Sequence, residues 1–380
     1  MAMRWSRFRA LRLLPAMSGR RNRAGERFGT RGENLAEAGP KKVTIFDVAE
    51  RAGVSIKTVS RVVNNESNVR DATREKVLGA IRELHYKPNA AARELSGKRS
   101  RLVGLVYENA QEFSYLKDVL NGTLDACEAR GYSLLLCPLA LPNPDIAARV
   151  REFATQARVE GIVLPAPLGD VPAVTALLQQ LRIPVAAIAP KDPQPEEINV
   201  SCNDGEATHS LAEVLIEQGH RAIGFIKGHP DHGASAVRFA GYRRALERHG
   251  IAFSAALVRQ GYFDFDSGKT AASELLDLAE PPSAIVASND DMAAGVLFEA
   301  RERGLSVPGD LSVVGFDDTQ IASRLWPPLT TVRQPIMQMA ETAAGLLIDK
   351  LNGEAVQSPD EPFECEVVIR NSTAPVASTT

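Results

Sequence analysis

From Leu102 onward the chain alternates short apolar runs with amphipathic helical stretches, and few architectures accommodate that alternation. The runs LVGLVY (102–107), SLLLCPL (133–139), GIVLPA (161–166), PVAAIA (184–189), AIGFIKG (222–228), AIVAS (284–288) and SVVGFDD (312–318) are rich in β-branched residues and bounded by Gly, Pro or Asp. Between them lie YLKDVLNGTLDACEARG (115–131), HSLAEVLIEQG (209–219), FAGYRRALERHG (239–250) and MAAGVLFEARERG (292–304), which read as helices. Continuous apolar strands separated by helices build parallel sheets covered on both faces. The number of repeats predicts an α/β body of two doubly wound parallel-sheet subdomains. Such folds bind small ligands at the carboxyl ends of their strands, and between the subdomains where there are two.

The segment before the body has a different period. VTIFDVAERAGVSIKTVSRVVN (43–64) reads as two short helices joined by a turn at Gly53, a residue free to take the left-handed conformation. Thr44 with Asp47 opens the first helix as a capping box, and Ser55 caps the second. Val48, Ala49 and Ala52 form the small apolar face of the first helix; Val59, Val62 and Val63 form that of the second. The opposite face of the second helix shows Ile56, Lys57, Thr58, Ser60, Arg61 and Asn64, side chains suited to phosphates and base edges. With Thr44 and Ser55 at the helix starts, these residues predict an all-α helix-turn-helix head that enters a DNA major groove. A third helix, opened by Asp71 or Thr73, follows with Val77, Ala80, Ile81 and Leu84 on one side, and Pro88 is expected to end it.

Charge is divided to match. The chain of 380 residues, too long for one ordinary domain, has a net charge of −3. Residues 41–99 hold 13 Lys and Arg against 7 Asp and Glu, and residues 1–40 hold 9 Arg against 3 Glu. Each stretch is thus +6, which leaves −15 on the rest. A basic head on an acidic body concentrates the attraction for phosphate at one end. Cys127, Cys137, Cys202 and Cys365 lack metal-ligand spacing and read as buried thiols of a cytosolic protein. No metal, cofactor or membrane span is expected. Residues 1–40 read as a disordered basic extension or an early start, with Met17 a possible true start; no apolar stretch follows Arg20-Arg21 to make an export signal.

Over residues 43–373 the sequence resembles the lactose/galactose-repressor family of bacterial transcription regulators. The resemblance runs through the helix-turn-helix, YKPNAAARELSGKRS (86–100), LTTVRQP (329–335) and RNSTAP (370–375). It implies that AAARELSG is a hinge helix that forms in the operator's minor groove, with Leu95 as the wedge and Tyr86, Asn89, Ala92 and Arg93 at other contacting positions. It also implies an effector site between the subdomains. Arg238, Asn289 and Asp317 would be its polar anchors, with Gln334 beside them, Phe263 the stacking aromatic and Tyr115 on the opposite wall. Sugar-binding relatives often place Asp where this chain has Ala189 followed by Pro190 and KDPQPEE, so one wall must differ.

The division that follows is an extension at 1–40, a head at 41–88, a hinge at 89–100 and a periplasmic-binding-protein-like body at 101–380. The body's N-subdomain would span about 101–200 and 336–363, its C-subdomain about 201–335 and 364–373. The expected protein is a cytoplasmic, nucleoid-associated homodimer on pseudo-palindromic operator DNA, without a tetramerising leucine heptad at its end. A sugar or glycoside would release it, and a corepressor that strengthens DNA binding is the second reading. A periplasmic sugar carrier lacks its signal peptide here. For an enzyme the chain offers no P-loop, G-x-S-x-G, metal spacing or dinucleotide loop. His229 and His232 lie in a cleft loop, and His220 and His85 in ordinary turn and helix-end positions.

Overall fold

The computed structural model describes residues 43–63, 68–86, 99–108 and 114–376. The chain divides into two compact units, Met1–Pro88 and Asn89–Thr380. Asn64, Asn89, Ala92, Arg93 and Leu95, all expected at the DNA, lie outside the described residues.

The head comprises α1 (Ile45–Ala52), α2 (Ile56–Val63) and α3 (Asp71–Glu83). Asp47 accepts hydrogen bonds from the Thr44 backbone nitrogen (2.7 Å) and hydroxyl (2.6 Å), fastening the start of α1. Gly53 ends α1 in the left-handed region at φ 65°. The Ser55 hydroxyl then accepts from the Thr58 amide at 3.2 Å and starts α2. Val48, Ala49, Val59, Val62, Val77 and Ala80 form the core, with Ile81, Leu84 and Tyr86 packed against it. Asp71 opens α3 as expected, after an N-cap, Arg70, that makes no side-chain bond. One local expectation fails: the helix ends at Glu83, well before Pro88, because His85 turns into the left-handed region at φ 49°.

The body has two lobes. Lobe 1 holds five parallel strands in the order β2-β1-β3-β4-β5: β1 (Leu102–Glu108), β2 (Ser133–Leu139), β3 (Gly161–Pro165), β4 (Val185–Ile188) and β5 (Ile198–Val200). Alternate residues serve opposite faces. Leu105, Val163 and Ala186 meet α4 (Ser114–Ala129) and α11 (Ile336–Leu351), while Val106, Ile162 and Val185 meet α5 (Ile146–Gln156) and α6 (Pro172–Leu181). Lobe 2 repeats the order as β7-β6-β8-β9, built from β6 (Ile223–Lys227), β7 (Val258–Gln260), β8 (Ala284–Ala287) and β9 (Ser312–Val314). Phe225, Val286 and Val314 face α7 (Asp204–Glu217) and α8 (Gly233–Arg248); Ile226, Ile285 and Val313 face α9 (Phe265–Leu276) and α10 (Asp290–Glu302).

Three segments pass between the lobes. The first, 201–203, leads into α7; the second, 334–335, joins β10 (Thr331–Arg333) to α11; the third, 363–365, leads back to β11 (Glu366–Val368). Asn203 and Phe363 bond through their backbones at 3.0 Å, and Cys365 donates to Asn203 Oδ1 at 2.8 Å, so the first and third crossings lie side by side. The final segment docks on lobe 2, where Ser372 accepts from the Thr330 amide and donates to the Val313 carbonyl.

Two helices start earlier than the sequence suggested. The apolar pattern placed their beginnings at His209 and Phe239, but α7 opens at Asp204 and α8 at Gly233. Their first turns are polar or small and carry no apolar stripe. Arg238 therefore projects from the second turn of α8.

Candidate functional site

The carboxyl ends of the strands in the two lobes come together around a buried polar chain. Arg238 on α8 is its centre. The guanidinium donates from Nε to Asp204 Oδ1 at 2.6 Å and from Nη1 to the Ser288 carbonyl at 2.5 Å, with Asp317 Oδ1 at 3.6 Å. It lies flat over the Phe316 ring, 3.6 Å from the centroid. Burial opposes its charge, but Asp204 and Asp317 outweigh burial and raise its pKa further.

Asp204 and Asp317 extend the chain in two directions. Gln334 donates from Nε2 to Asp317 Oδ1 at 2.5 Å. Cys202 Sγ lies 3.2 Å from Asp204 Oδ2 and 3.1 Å from Gln334 Oε1, and gives its one proton to either. Arg238, Asp204, Cys202, Gln334 and Asp317 thus close a ring of groups, all buried. Burial pushes the Asp317 carboxyl up to about 6 against the pull of Arg238. Asp290, held by the Thr319 amide and the Thr331 hydroxyl, is pushed up to about 8 by burial and by Asp317.

Tyr115, in the first turn of α4, brings lobe 1 to this ring. It packs against the cluster that holds Cys202, and its phenol is raised above the ordinary range, first by burial and then by the nearby acidic groups. Phe263 lies on the other side, 5.3 Å from the His232 ring and 5.9 Å from the Arg238 guanidinium. It packs over Gly228, where a Cβ would stand 2.0 Å from the ring. Asn289 holds Phe263 in place: it donates to the Phe263 carbonyl at 2.8 Å while its Oδ1 caps α10 through the Met292 amide at 2.9 Å. Much of the amide is therefore committed to structure.

The lobes also touch at the rim. His232 Nε2 of lobe 2 lies 3.8 Å from Glu108 Oε2 of lobe 1. A Cβ on Gly233 would lie 2.8 Å from Lys191 Cα. Lys191 is fixed in turn by Asp170, which accepts from its amide at 2.8 and 2.9 Å. Ala189, Phe263, Asp317 and Asp318 all adopt positive φ without being glycine, and all follow strands at this end of the sheets. Such backbone strain gathers at functional sites.

All six expected effector residues thus fall in one neighbourhood. Sequence reasoning missed Asp204, Cys202 and Ser288. A buried arginine demands a carboxylate partner, and SCND directly after the INV strand was the available signal for Asp204.

In the head, Thr44, Ser55, Ile56 and Lys57 are exposed, and Thr58, Ser60 and Arg61 are half-buried. Ile56 is 40% and Phe46 65% exposed, so two large apolar side chains stand in water on a small unit. Tyr86 packs against the head core. Among the described residues no cluster of His, Cys, Asp and Glu could hold a metal, and no helix is long and apolar enough to cross a membrane.

Family models match both units: residues 44–89 fit bacterial regulatory proteins of the lacI family, and residues 212–373 fit a periplasmic binding protein-like domain. The HTH-type transcriptional regulator DegA of Bacillus subtilis (strain 168) is 34% identical over 337 residues, 88% of this chain and 99% of that protein. Among solved structures, a Lac repressor dimer bound to operator and the anti-inducer ONPF superposes with a TM-score of 0.73 at 31% identity, covering 88% of this chain and all of that one. A transcriptional regulator CelR–cellobiose complex gives 0.68 at 33% identity, covering 87% and 99%. A helical reader of DNA joined to a two-lobed α/β binding body defines a ligand-controlled regulator. This chain belongs to the lacI family of bacterial regulatory proteins. It is a DNA-binding transcriptional regulator and not an enzyme.

Proposed function

We propose that the protein is a homodimeric repressor that releases a pseudo-palindromic operator when a sugar or glycoside enters the cleft between its lobes. The observation that carries this reading is the ring around Arg238, with Phe263 of lobe 2 beside the guanidinium and Tyr115 of lobe 1 packed against the cluster that holds Cys202. Neighbouring sugar hydroxyls each donate and accept, and they match a guanidinium beside carboxylates and an amide. An aromatic face suits the apolar side of a sugar ring. The cellobiose complex of CelR supports the ligand class, and the operator complex of the Lac repressor supports the DNA partner and the dimer. At the DNA, Ser55, Ile56, Lys57, Thr58, Ser60, Arg61 and Asn64 would face the major groove, with Thr44 and Tyr86 toward the backbone. Asn89, Ala92, Arg93 and Leu95 would enter the minor groove.

The ligand shifts DNA affinity only by preferring one arrangement of the lobes, and couplings of about 1–3 kcal/mol, or roughly 5–150-fold, are usual. A mobility shift on the promoter of the neighbouring operon, with a panel of sugars, tests both halves. The expected result is steeply salt-dependent binding that one sugar weakens. Binding strengthened by a compound would make that compound a corepressor, and absence of binding to any duplex would overturn the reading.

A further inference from the structure

Cys202 and Cys365 stand on the first and third crossings between the lobes, and each is a free thiol. The parallel bridge of Cys202 to Phe363 and the bond from Cys365 to Asn203 hold their backbones together. Both side chains join one apolar cluster at the crossings. The two differ in access: Cys202 is buried, whereas Cys365 is half-exposed. Cys127 shares that cluster but stands on α4, and Cys137 is buried in another cluster.

We propose that Cys202 and Cys365 form a peroxide-sensitive dithiol whose oxidation to a disulfide ties two of the three crossings together. The half-exposed Cys365 meets the hydroperoxide first. Its thiolate sulfur attacks one peroxide oxygen, the O–O bond breaks, and the departing hydroxide takes up the proton lost by the Cys365 thiol and leaves as water, giving a sulfenic acid on Cys365. Cys202 sulfur then attacks that sulfur. The S–S bond forms as the S–O bond breaks, and the hydroxide departs as water with the thiol proton of Cys202. Asp204 Oδ2, 3.2 Å from Cys202 Sγ, is placed to take that proton and pass it on to the leaving hydroxide. Two thiols are oxidised and one peroxide is reduced to two waters.

The bond has a consequence at the ring. Cys202 loses the proton that it shares with Asp204 and Gln334, and both acceptors lose a donor beside Arg238. The first crossing can no longer slide against the third, so the lobes lose freedom about their connections. Loss of the ligand response on oxidation follows, and this part rests on the function proposed above; the disulfide itself does not.

Each cysteine falls in its own tryptic peptide: Cys127 in 118–130, Cys137 in 131–149, Cys202 in 192–221 and Cys365 in 351–370. The full chain is treated with graded hydrogen peroxide, blocked with N-ethylmaleimide, digested and weighed. The expected product is peptide 192–221 linked to 351–370, two hydrogens lighter than their sum and separated again by dithiothreitol. Cys365→Ser should abolish the link while leaving the thermal unfolding of the unoxidised protein as in the parent. Oxidation of Cys127 or Cys137 ahead of this pair, a sulfinic acid on Cys365 without the link, or a Cys365 bridge between two chains would each overturn the site. A linked pair whose release from DNA by the panel sugar is unchanged would overturn the proposed consequence, whereas failure of the reduced protein to answer any sugar would count against the function instead.

Discussion

Replacing Arg238 by Ala tests the ring at its centre, and the structure sets the size of the effect. The substitution removes a guanidinium 2.6 Å from Asp204 and 3.6 Å from Asp317, and it orphans the Ser288 carbonyl. Asp204 is 7% and Asp317 9% exposed, so water cannot replace the lost partner. Breaking a buried pair by deleting one member costs about 3–5 kcal/mol. At about 2–4 °C per kcal/mol for a domain of this size, the body should unfold roughly 6–20 °C lower. Calorimetry of the full chain reads this, and a mobility shift run well below the transition should still show DNA binding, because the head has its own core. The deficit should also depend on pH. Burial already holds Asp317 up to about 6, above its ordinary 3.8, and loss of Arg238 raises it further. A carboxyl whose folded pKa is raised favours the fold below its unfolded value and withdraws that favour as pH rises through the folded one. The gap between variant and parent should therefore widen above about pH 6 and narrow in acid. A variant that unfolds within about 2 °C of the parent at neutral pH would refute the claim that this charge holds two buried carboxylates.

Three further perturbations address other parts of the molecule. Gly233→Ala pushes a Cβ to within 2.8 Å of Lys191 Cα, and overpacking of about 1–3 kcal/mol falls on the conformation that brings the lobes together; the sugar concentration needed to release DNA should rise about 5–150-fold, and an unchanged titration would count against that contact. Lys57→Ala should weaken binding to all duplexes alike and reduce the slope of log affinity against log salt by about 0.9, measured by mobility shift; an unaltered slope would remove Lys57 from the phosphates. His220 is buried against Ser283, Ser312 and the Ala374 carbonyl, and burial lowers its pKa below 6.5. Its neutral form supports the fold above pH 6.5 and that support is lost as pH falls through the folded value, so hydrogen exchange near Ala374, corrected for intrinsic rate, should accelerate in acid; protection that does not vary with pH would refute this.

The seven apolar runs all became strands, and apart from the edge strand β2 they are largely buried on both faces, which leaves an unbroken apolar signature. What stayed hidden were the strands without that requirement. β5, β7, β10 and β11 are three residues each, at sheet edges or crossings, and partly polar, as in Val258-Arg259-Gln260. Helix starts were misplaced for a related reason: Asp204-Gly205 and Gly233-Ala234-Ser235 carry no stripe that a periodicity can register. The effector residues were legible through family resemblance and through their position after strands. Their partners Cys202 and Asp204 were not, because they meet Gln334 and Arg238 from a stretch of chain distant in sequence. Asn289 was read as a ligand anchor, and its bonds to Met292 and Phe263 show that it also does the ordinary work of an Asn after a strand.

The triple passage of the chain between lobes bears on how the protein is made. Helix α11 supplies Ile336, Met339, Ala340, Ala343 and Leu347 to the first lobe, yet it is translated only after nearly all of the second. The second lobe in turn waits for Ser372 to tie β9 to the segment before β10. The first sheet therefore leaves the ribosome with part of an apolar face uncovered until α11 emerges, and the nascent chain must be shielded from aggregation over that whole interval.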